Sequence, residues 1–411
     1  MRIAMVSEHA SPLASLGGED AGAQNVHVRG LAAALAARGH SVTVYTRRDG
    51  SMPERVPAGP GVEVVHVSAG PADTVPRREL PAYTAEFTQR LIDRWDEESP
   101  DVVHAHFWNS GVAALRAAWA LDGPPVVQTL HSLEHLERRQ GGDVRSAPAR
   151  RRLEPAVARQ ADQLIAMCSE EAFELARLGV SSRRIAVVPQ GVDTRRFSPE
   201  GPAELKRRAT RLVSVGRIAP RKDVDSAIRA LAELVASGRD DVELVVVGGS
   251  VSVERPLDDP EVARLAGLAR SLGVREHVDF RGWVSHDTLP RLLRSADVLV
   301  ATPRYEPFGV VALEAMACGI PVVASAVGGL LDTVVHGTTG LHVPPGDLPV
   351  LVRTLALLID YPRLRARLGP AGVDRARTAF TWEQVAMHTE RIYFPLVSTH
   401  RAHDARRTVL R

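Results

Sequence analysis

The sequence predicts an α/β fold in which two doubly wound, parallel-sheet domains face a central cleft. Three observations carry that prediction. At 411 residues the chain exceeds one ordinary core and suits two domains of roughly 200 residues each. Short runs rich in valine and isoleucine alternate with Ala/Leu/Arg helical patterns almost from end to end. Near-continuous apolar strands of that kind form parallel sheets covered on both faces. The alternation pauses at PQGVDTRRFSPEGPAELKRR (189–208), where turn residues and charge replace it.

In order, the first half offers strands at RIAMVSE, SVTVYT, VEVVHV, DVVHAHF, PVVQTLH, QLIAMC and RIAVVPQ. Helix patterns such as VHVRGLAAALAARGH and AEFTQRLIDRWDEE lie between them. The second half offers RLVSVGR, ELVVVGG, HVDFRGW, DVLVATP, PVVASA and TGLHVPP. The first domain is therefore expected over 1–199 and the second over 200–384, with a helical stretch at 385–411 returning to the first. No repeat at solenoid spacing interrupts this order.

Composition narrows the function. Hydrophobic content of 45% and charged content of 24% are those of a globular protein. A formal charge of +2 and 4% aromatic residues leave little for phosphate tracking or base stacking, so a nucleic-acid partner is not expected. Cys168 and Cys318 lie in different halves without metal-ligand spacing and read as small core residues of a reducing compartment. The start, MRIAMVSEH, is strand-like and lacks a basic n-region, and the apolar run from Val310 to Leu331 is broken by Glu314, Gly319 and Pro321. Both features predict a cytoplasmic protein.

A parallel sheet near the N-terminus suggests a dinucleotide enzyme, but the glycines Gly17, Gly18 and Gly22 lack G-x-G-x-x-G spacing. The second strand runs into Arg47 and Arg48 rather than into a ribose-binding acid. A different phosphate site is legible in VGRIAPRKD, straight after the first strand of the second half. There Arg217 offers a bidentate fork and Lys222 a point charge, with Arg221 as a third candidate. Lysine occurs only at Lys206 and Lys222, which singles the second one out further. In EPFGVVALE, Pro307 suits the first turn of a helix and Gly309 permits close approach of a ligand. Backbone N–H groups of Phe308, Gly309, Val310 and Val311 would then face an anion. Glu306 and Glu314 could each accept sugar hydroxyls; alternatively Glu306 is a helix-start acid and Glu314 a core residue paired with an arginine. Taken together the set describes a nucleotide diphosphate-sugar site.

On these residues the chain resembles the retaining glycosyltransferases of the GT-B fold, two Rossmann-like domains around a cleft, and among them glycosyltransferase family 4. The resemblance covers nearly the whole length. It rests on GGEDAGAQNVHV, HAHFWNSG and TLHS in the first domain, PQGVDTRRF at the junction, and VGRIAPRKD, GWVSHDTLP and EPFGVVALEAMACGIPVVAS in the second. The Gly-rich start is most similar to the group holding sucrose-phosphate synthases and mycothiol-pathway glycosyltransferases. The resemblance implies transfer of a hexosyl unit from a nucleotide-diphosphate sugar, UDP or GDP, to an acceptor hydroxyl. Anomeric configuration would be kept, the leaving phosphate would take the acceptor proton, and neither metal nor cofactor would be needed. Arg217 and Lys222 would hold the diphosphate with Gly22 and the amides of 309–311, Glu314 the ribose, and Glu306 the donor sugar. Val284 would meet the base through its backbone. His131 would approach the sugar from the first domain, although a strand-end histidine is often only a hydrogen-bonded structural residue. His104 and His106 are read as pointing to opposite faces of their strand, one of them reaching the cleft.

The acceptor, a small molecule or glycan, is expected against the first domain at Gln24, Asn25, Arg78, Phe107, Ser132 and Arg150. Relatives acting on inositol phosphate carry a tyrosine where Phe107 stands, a lysine near Arg77 or Arg78, and a threonine where Ser132 stands. Phe107 offers a phosphate no hydroxyl, which turns the expectation toward a neutral sugar or natural-product aglycone. The basic run Arg150–Arg152 reads as a solvated face before it reads as an acceptor or membrane contact, and a homodimer is compatible with the sequence. The alternatives are a sugar-nucleotide epimerase or hydrolase on the same fold, or a nucleotide-sugar-binding protein without catalysis.

Overall fold

The computed structural model describes residues 1–14, 22–139, 147–249 and 255–409. In the first half β1 (Arg2–Val6), β2 (Ser41–Arg47), β3 (Arg55–Pro57), β4 (Val62–Val67), β5 (Val102–His106), β6 (Val126–Thr129), β7 (Gln163–Ala166) and β8 (Ile185–Val187) form one sheet. Its order is β3-β4-β2-β1-β5-β6-β7-β8, parallel except for β3 against β4. In the second half β9 (Thr210–Val215), β10 (Val242–Val247), β11 (Val278–Phe280), β12 (Val298–Ala301), β13 (Val322–Ser325) and β14 (Gly340–Val343) form another, ordered β11-β10-β9-β12-β13-β14. Every strand expected from the sequence is present. The short edge strand β3 was not expected, because RVP contains a proline and no alternation.

Period-two alternation splits the second sheet's side chains between two cores. Leu212, Leu244, Val246, Val298 and Val300 go to one face, and Val213, Val245, Val247 and Leu299 to the other. Both sheets are thus covered on two sides. Strand order reverses between β1 and β5 and again between β9 and β12, the switch points where open α/β sheets bind ligands.

The two halves are joined more than once. The helix Trp382–Val409 packs on the helix Ala23–Ala37 and buries Val385, Tyr393 and Val397 with Val28, Leu31 and Leu35. Glu390 accepts from Arg38 Nε at 2.7 Å, and its Oε1 lies 2.6 Å from His40 Nε2. Trp382 lies flat against Gly30 and Gly191, where a Cβ would meet its ring at 2.2 and 2.6 Å. Across the cleft, Ser169 donates to Asp332 from its backbone N (2.6 Å) and from its hydroxyl (3.0 Å). Tyr305, from the second half, is buried among Phe107, Leu130, Leu133 and Leu175 of the first. Among the described residues no helix is long and apolar enough to cross a membrane.

Candidate active site

The second-half wall is built by the turns after β9 and β12. Beyond β9, Gly216 and Arg217 lead to a tight turn Pro220–Lys222, and Asp223 (φ 50°) opens the helix Val224–Ala236. Lys222 reaches back along Gly216, its Nζ 3.8 Å from where a Cβ would stand. Beyond β12, Tyr305 and Glu306 precede the helix Val310–Ala317. Ser214, Arg217, Lys222, Glu306, Gly309 and Val311 are among the residues lining one cleft that opens to solvent.

Lys222 Nζ donates to a Glu306 carboxylate oxygen, and both side chains are largely buried. Burial opposes ionisation of Glu306, but the charges of Lys222 and Arg221 and the Lys222 hydrogen bond outweigh it and hold the carboxyl below its usual range. Burial, with repulsion from Arg221 and Arg217, likewise lowers Lys222. Arg221 turns away to donate to the Tyr305 carbonyl at 3.3 Å.

The helix does not begin at Pro307, as expected, but at Val310. Gly309 takes a left-handed φ of 73° and serves as the N-cap, so Pro307 and Phe308 lie in the turn ahead of it. Leu313 N–H makes the first intrahelical bond, to Gly309 O at 3.1 Å. The amides of Val310, Val311 and Ala312 are therefore the donors that a helix start leaves over. Glu314 is 3% exposed. Its partner is not an arginine but His286, whose Nε2 lies 3.1 Å from Oε1. Val284 is half-buried on the same loop.

The first-half wall centres on histidines at the ends of β5 and β6. His104 and His106 do not point to opposite faces: two residues apart on a strand they share one, their rings 4.2 Å apart and both buried. His104 Nδ1 meets the Tyr393 hydroxyl at 2.7 Å, and His106 Nδ1 lies 3.0 Å from His131 Nε2. His131 sits at the end of β6 with φ 65°, its ring 5.8 Å from that of Phe308 across the cleft. Burial lowers His27 to about 4 and His104 to about 3, and takes His106, His131 and His9 well below the usual histidine range. Burial thus favours the neutral form of the imidazoles in this wall. Beside them Glu8, bonded by Asn109 Nδ2 at 2.6 Å, is pushed up to about 8 by burial. His27 lies within GGEDAGAQNVHV, and Glu8 and His9 within MRIAMVSEH, but neither stretch marked these three side chains individually. Among the described residues no group of three histidine, cysteine, aspartate or glutamate side chains is arranged to hold a metal ion.

The acceptor candidates divide. Gln24 Nε2 donates to Ser7 Oγ (3.2 Å) and to His106 O (3.4 Å), which places it beside the histidines. Asn25 staples its loop, accepting from Gly22 N and donating to Ser11 O, each at 2.9 Å. Gly22 is the N-cap of that helix, while Gly17 and Gly18 lie outside the described residues. Arg78 is exposed beside Glu79 and does not join the group; Arg77 does instead, its guanidinium 4.6 Å from the Phe107 ring centre. Arg150, expected at the acceptor or else on a solvated face, is buried 4.8 Å from the same ring. It donates to Glu154 (2.7 Å), Glu137 (2.9 Å) and both oxygens of Ser132 (2.9 and 3.1 Å). A buried arginine requires that pairing, which the sequence run RRR did not reveal.

Residues 24–196 match the model for Glycosyltransferase Family 4, and residues 201–375 that for Glycosyl transferases group 1. The chain is 38% identical to the D-inositol 3-phosphate glycosyltransferase of Kribbella flavida, over 95% of each chain. The chain belongs to glycosyltransferase family 4. It is 38% identical to the enzyme of the same name from Actinosynnema mirum, over 93% of this chain and 94% of that one. The fold of this glycosyltransferase is GT-B. It superposes on sucrose-phosphate synthase from Thermosynechococcus elongatus with a TM-score of 0.84 at 31% identity, covering 97% of this chain and 99% of the other. A likeness of fold alone, with a TM-score of 0.72 at 20% identity over 95% and 99% of the two chains, links it to Anabaena Alr3699/HepE in complex with UDP-glucose.

Proposed function

We propose that this glycosyltransferase moves a hexosyl unit from a nucleoside-diphosphate sugar, carrying UDP or GDP, to a hydroxyl of a small polyol or sugar. The observation that carries the reading is the meeting of Arg217, Lys222 and Glu306 in one cleft with the amide-rich start of the helix Val310–Ala317. Arg217, Lys222 and the amides suit a diphosphate, Glu306 the hydroxyls of the sugar attached to it, and Glu314, just over one turn into the helix, the ribose. The neighbour crystallised with UDP-glucose supports the same donor class.

In the step proposed, the bond from the anomeric carbon to the phosphate oxygen breaks, and the acceptor oxygen bonds to that carbon from the same face. The acceptor proton passes to the departing phosphate, so configuration is retained, and the chain's own cations balance the leaving charge without a metal. Stabilisation of that charge is then the protein's main catalytic contribution. His131, neutral and facing Phe308, would border the sugar from the other wall. Its buried neighbours favour neutral contacts over proton transfer.

For the acceptor, two observations favour an uncharged polyol. Phe107 has no hydroxyl, and Arg150 is already shared between Glu137 and Glu154. The relatives named for D-inositol 3-phosphate make the phosphorylated polyol the natural comparison. The test is product analysis with UDP- and GDP-hexoses against inositol, its 3-phosphate and simple sugars, with and without EDTA. A new glycoside with the donor's anomeric configuration, formed equally in EDTA, is expected. An inverted product, loss of activity in EDTA, or donor hydrolysis without transfer would each remove a part of the proposal.

A further inference from the structure

His286 lies on the loop between β11 and the helix Leu289–Ser295, and nothing described so far gives it a role. Two contacts locate it. Its Nε2 is 3.1 Å from Glu314 Oε1, and it is the ion-pair partner of that carboxylate among the described residues. Its ring stands edge-on to that of Phe197 in the segment between the sheets, centroids 5.6 Å apart at 83°. The next residue, Asp287, pairs with Arg196 of the same segment at 3.4 Å. The loop thus contacts the segment between the sheets at two successive residues.

A carboxylate buried on a helix needs a donor, and the choice of donor fixes how the group is rotated. An imidazole nitrogen 3.1 Å from Oε1 restricts how the Glu314 carboxylate can be rotated. Glu314 comes from the helix whose first turn lines the cleft, and the His286 loop follows Val284, so the pair stands where the ribose is expected to lie.

We propose that His286 is a positioning residue of the donor site: it donates its Nε2–H to Glu314 Oε1 and so orients the carboxylate that accepts the donor's ribose hydroxyls. The inference rests on the nucleotide-sugar reading above. A neutral imidazole in its Nε2–H tautomer donates from Nε2 as an imidazolium does, so the contact does not require a charge on His286.

The test is calorimetric titration of UDP, GDP and inorganic pyrophosphate into the wild type, His286→Ala, His286→Gln and Glu314→Gln. Pyrophosphate carries the charge that Arg217 and Lys222 would hold but has no ribose. His286→Ala should weaken the preferred nucleoside diphosphate about ten- to a hundredfold, as loss of a hydrogen bond to a charged group does, and leave pyrophosphate within about twofold. His286→Gln, with an amide N–H of similar reach, should return to within about threefold of wild type. Adding His286→Ala to Glu314→Gln should change nothing further. Wild-type affinity in His286→Ala, equal weakening of both ligands, or failure of glutamine to rescue would overturn the role of His286. If the wild type binds neither nucleotide, the donor reading falls and this inference with it. If Glu314→Gln loses the nucleotide and His286→Ala keeps it, the inference alone falls.

Discussion

Lys222 and Glu306 are partners of each other; in the function proposed, a donor would come between them, its phosphate taking the ammonium and its sugar the carboxylate. Lys222→Ala should slow transfer by roughly ten- to a hundredfold, the value of a charge-assisted contact. It should also lower the melting temperature, because it leaves a largely buried carboxylate without its cation. The paired change Lys222→Met with Glu306→Gln should recover most of that stability and none of the activity, which separates the two effects by melting curve and assay. Glu8 makes a second prediction at this scale. Burial raises its carboxyl from 4.5 to about 8, so between those values the folded chain keeps a proton that the unfolded chain has lost. Its contribution to stability is full below 4.5 and is lost as pH rises toward about 8. His27 and His104, lowered by burial from 6.5 to about 4 and about 3, act in the opposite sense. Their contribution is full above 6.5 and is lost as pH falls toward those values. Glu8→Gln should therefore flatten the decline in melting temperature between pH 5 and 8 and leave the acid limb in place.

Among the elements, the helix Val310–Ala317 matters most, and its start depends on Gly309. A Cβ there would meet Leu330 Cδ2 at 3.1 Å and Thr333 Oγ1 at 3.2 Å, on a backbone with φ 73°. Gly309→Ala should cost about 1–2 kcal/mol for the left-handed conformation. It should reduce transfer by more than that loss of stability explains, since the helix amides move with it. The strands were legible because buried parallel strands write themselves as Val/Ile runs. The helix start was not, because a proline at the first helical position is a common pattern and a left-handed glycine two residues later displaces it here. The same limit hid His286: a partner for Glu314 was expected, but a sequence does not say which loop folds over which helix. Arg77 and Arg78 show it again, since neighbours on a turn cannot be told apart until the turn is placed.

At the scale of the whole molecule, the two sheets act on one ligand only if they are held together, and three links among the described residues contribute to this. They are Tyr305 in the first half's core, Ser169 on Asp332, and the helix Trp382–Val409 along the helix Ala23–Ala37. Tyr305 directly precedes Glu306, so the first of these links also sets the position of a site residue. Tyr305→Ala should cost about 3–5 kcal/mol, as loss of a buried aromatic ring does, and raise the donor KM, while Tyr305→Phe should remain close to wild type in both. Small-angle scattering should show Tyr305→Ala more extended. The central claim is that the cleft between the sheets holds a nucleotide. It is tested most directly by thermal unfolding with UDP, GDP, ADP and their sugar conjugates, on the wild type and Glu314→Gln. A ligand at a hundred times its Kd stabilises the folded chain by ~2.7 kcal/mol. The account predicts that UDP or GDP and its conjugates raise the midpoint of the wild type and that Glu314→Gln loses most of the rise. No shift of the wild type with any nucleotide, or an equal shift in the variant, would contradict it.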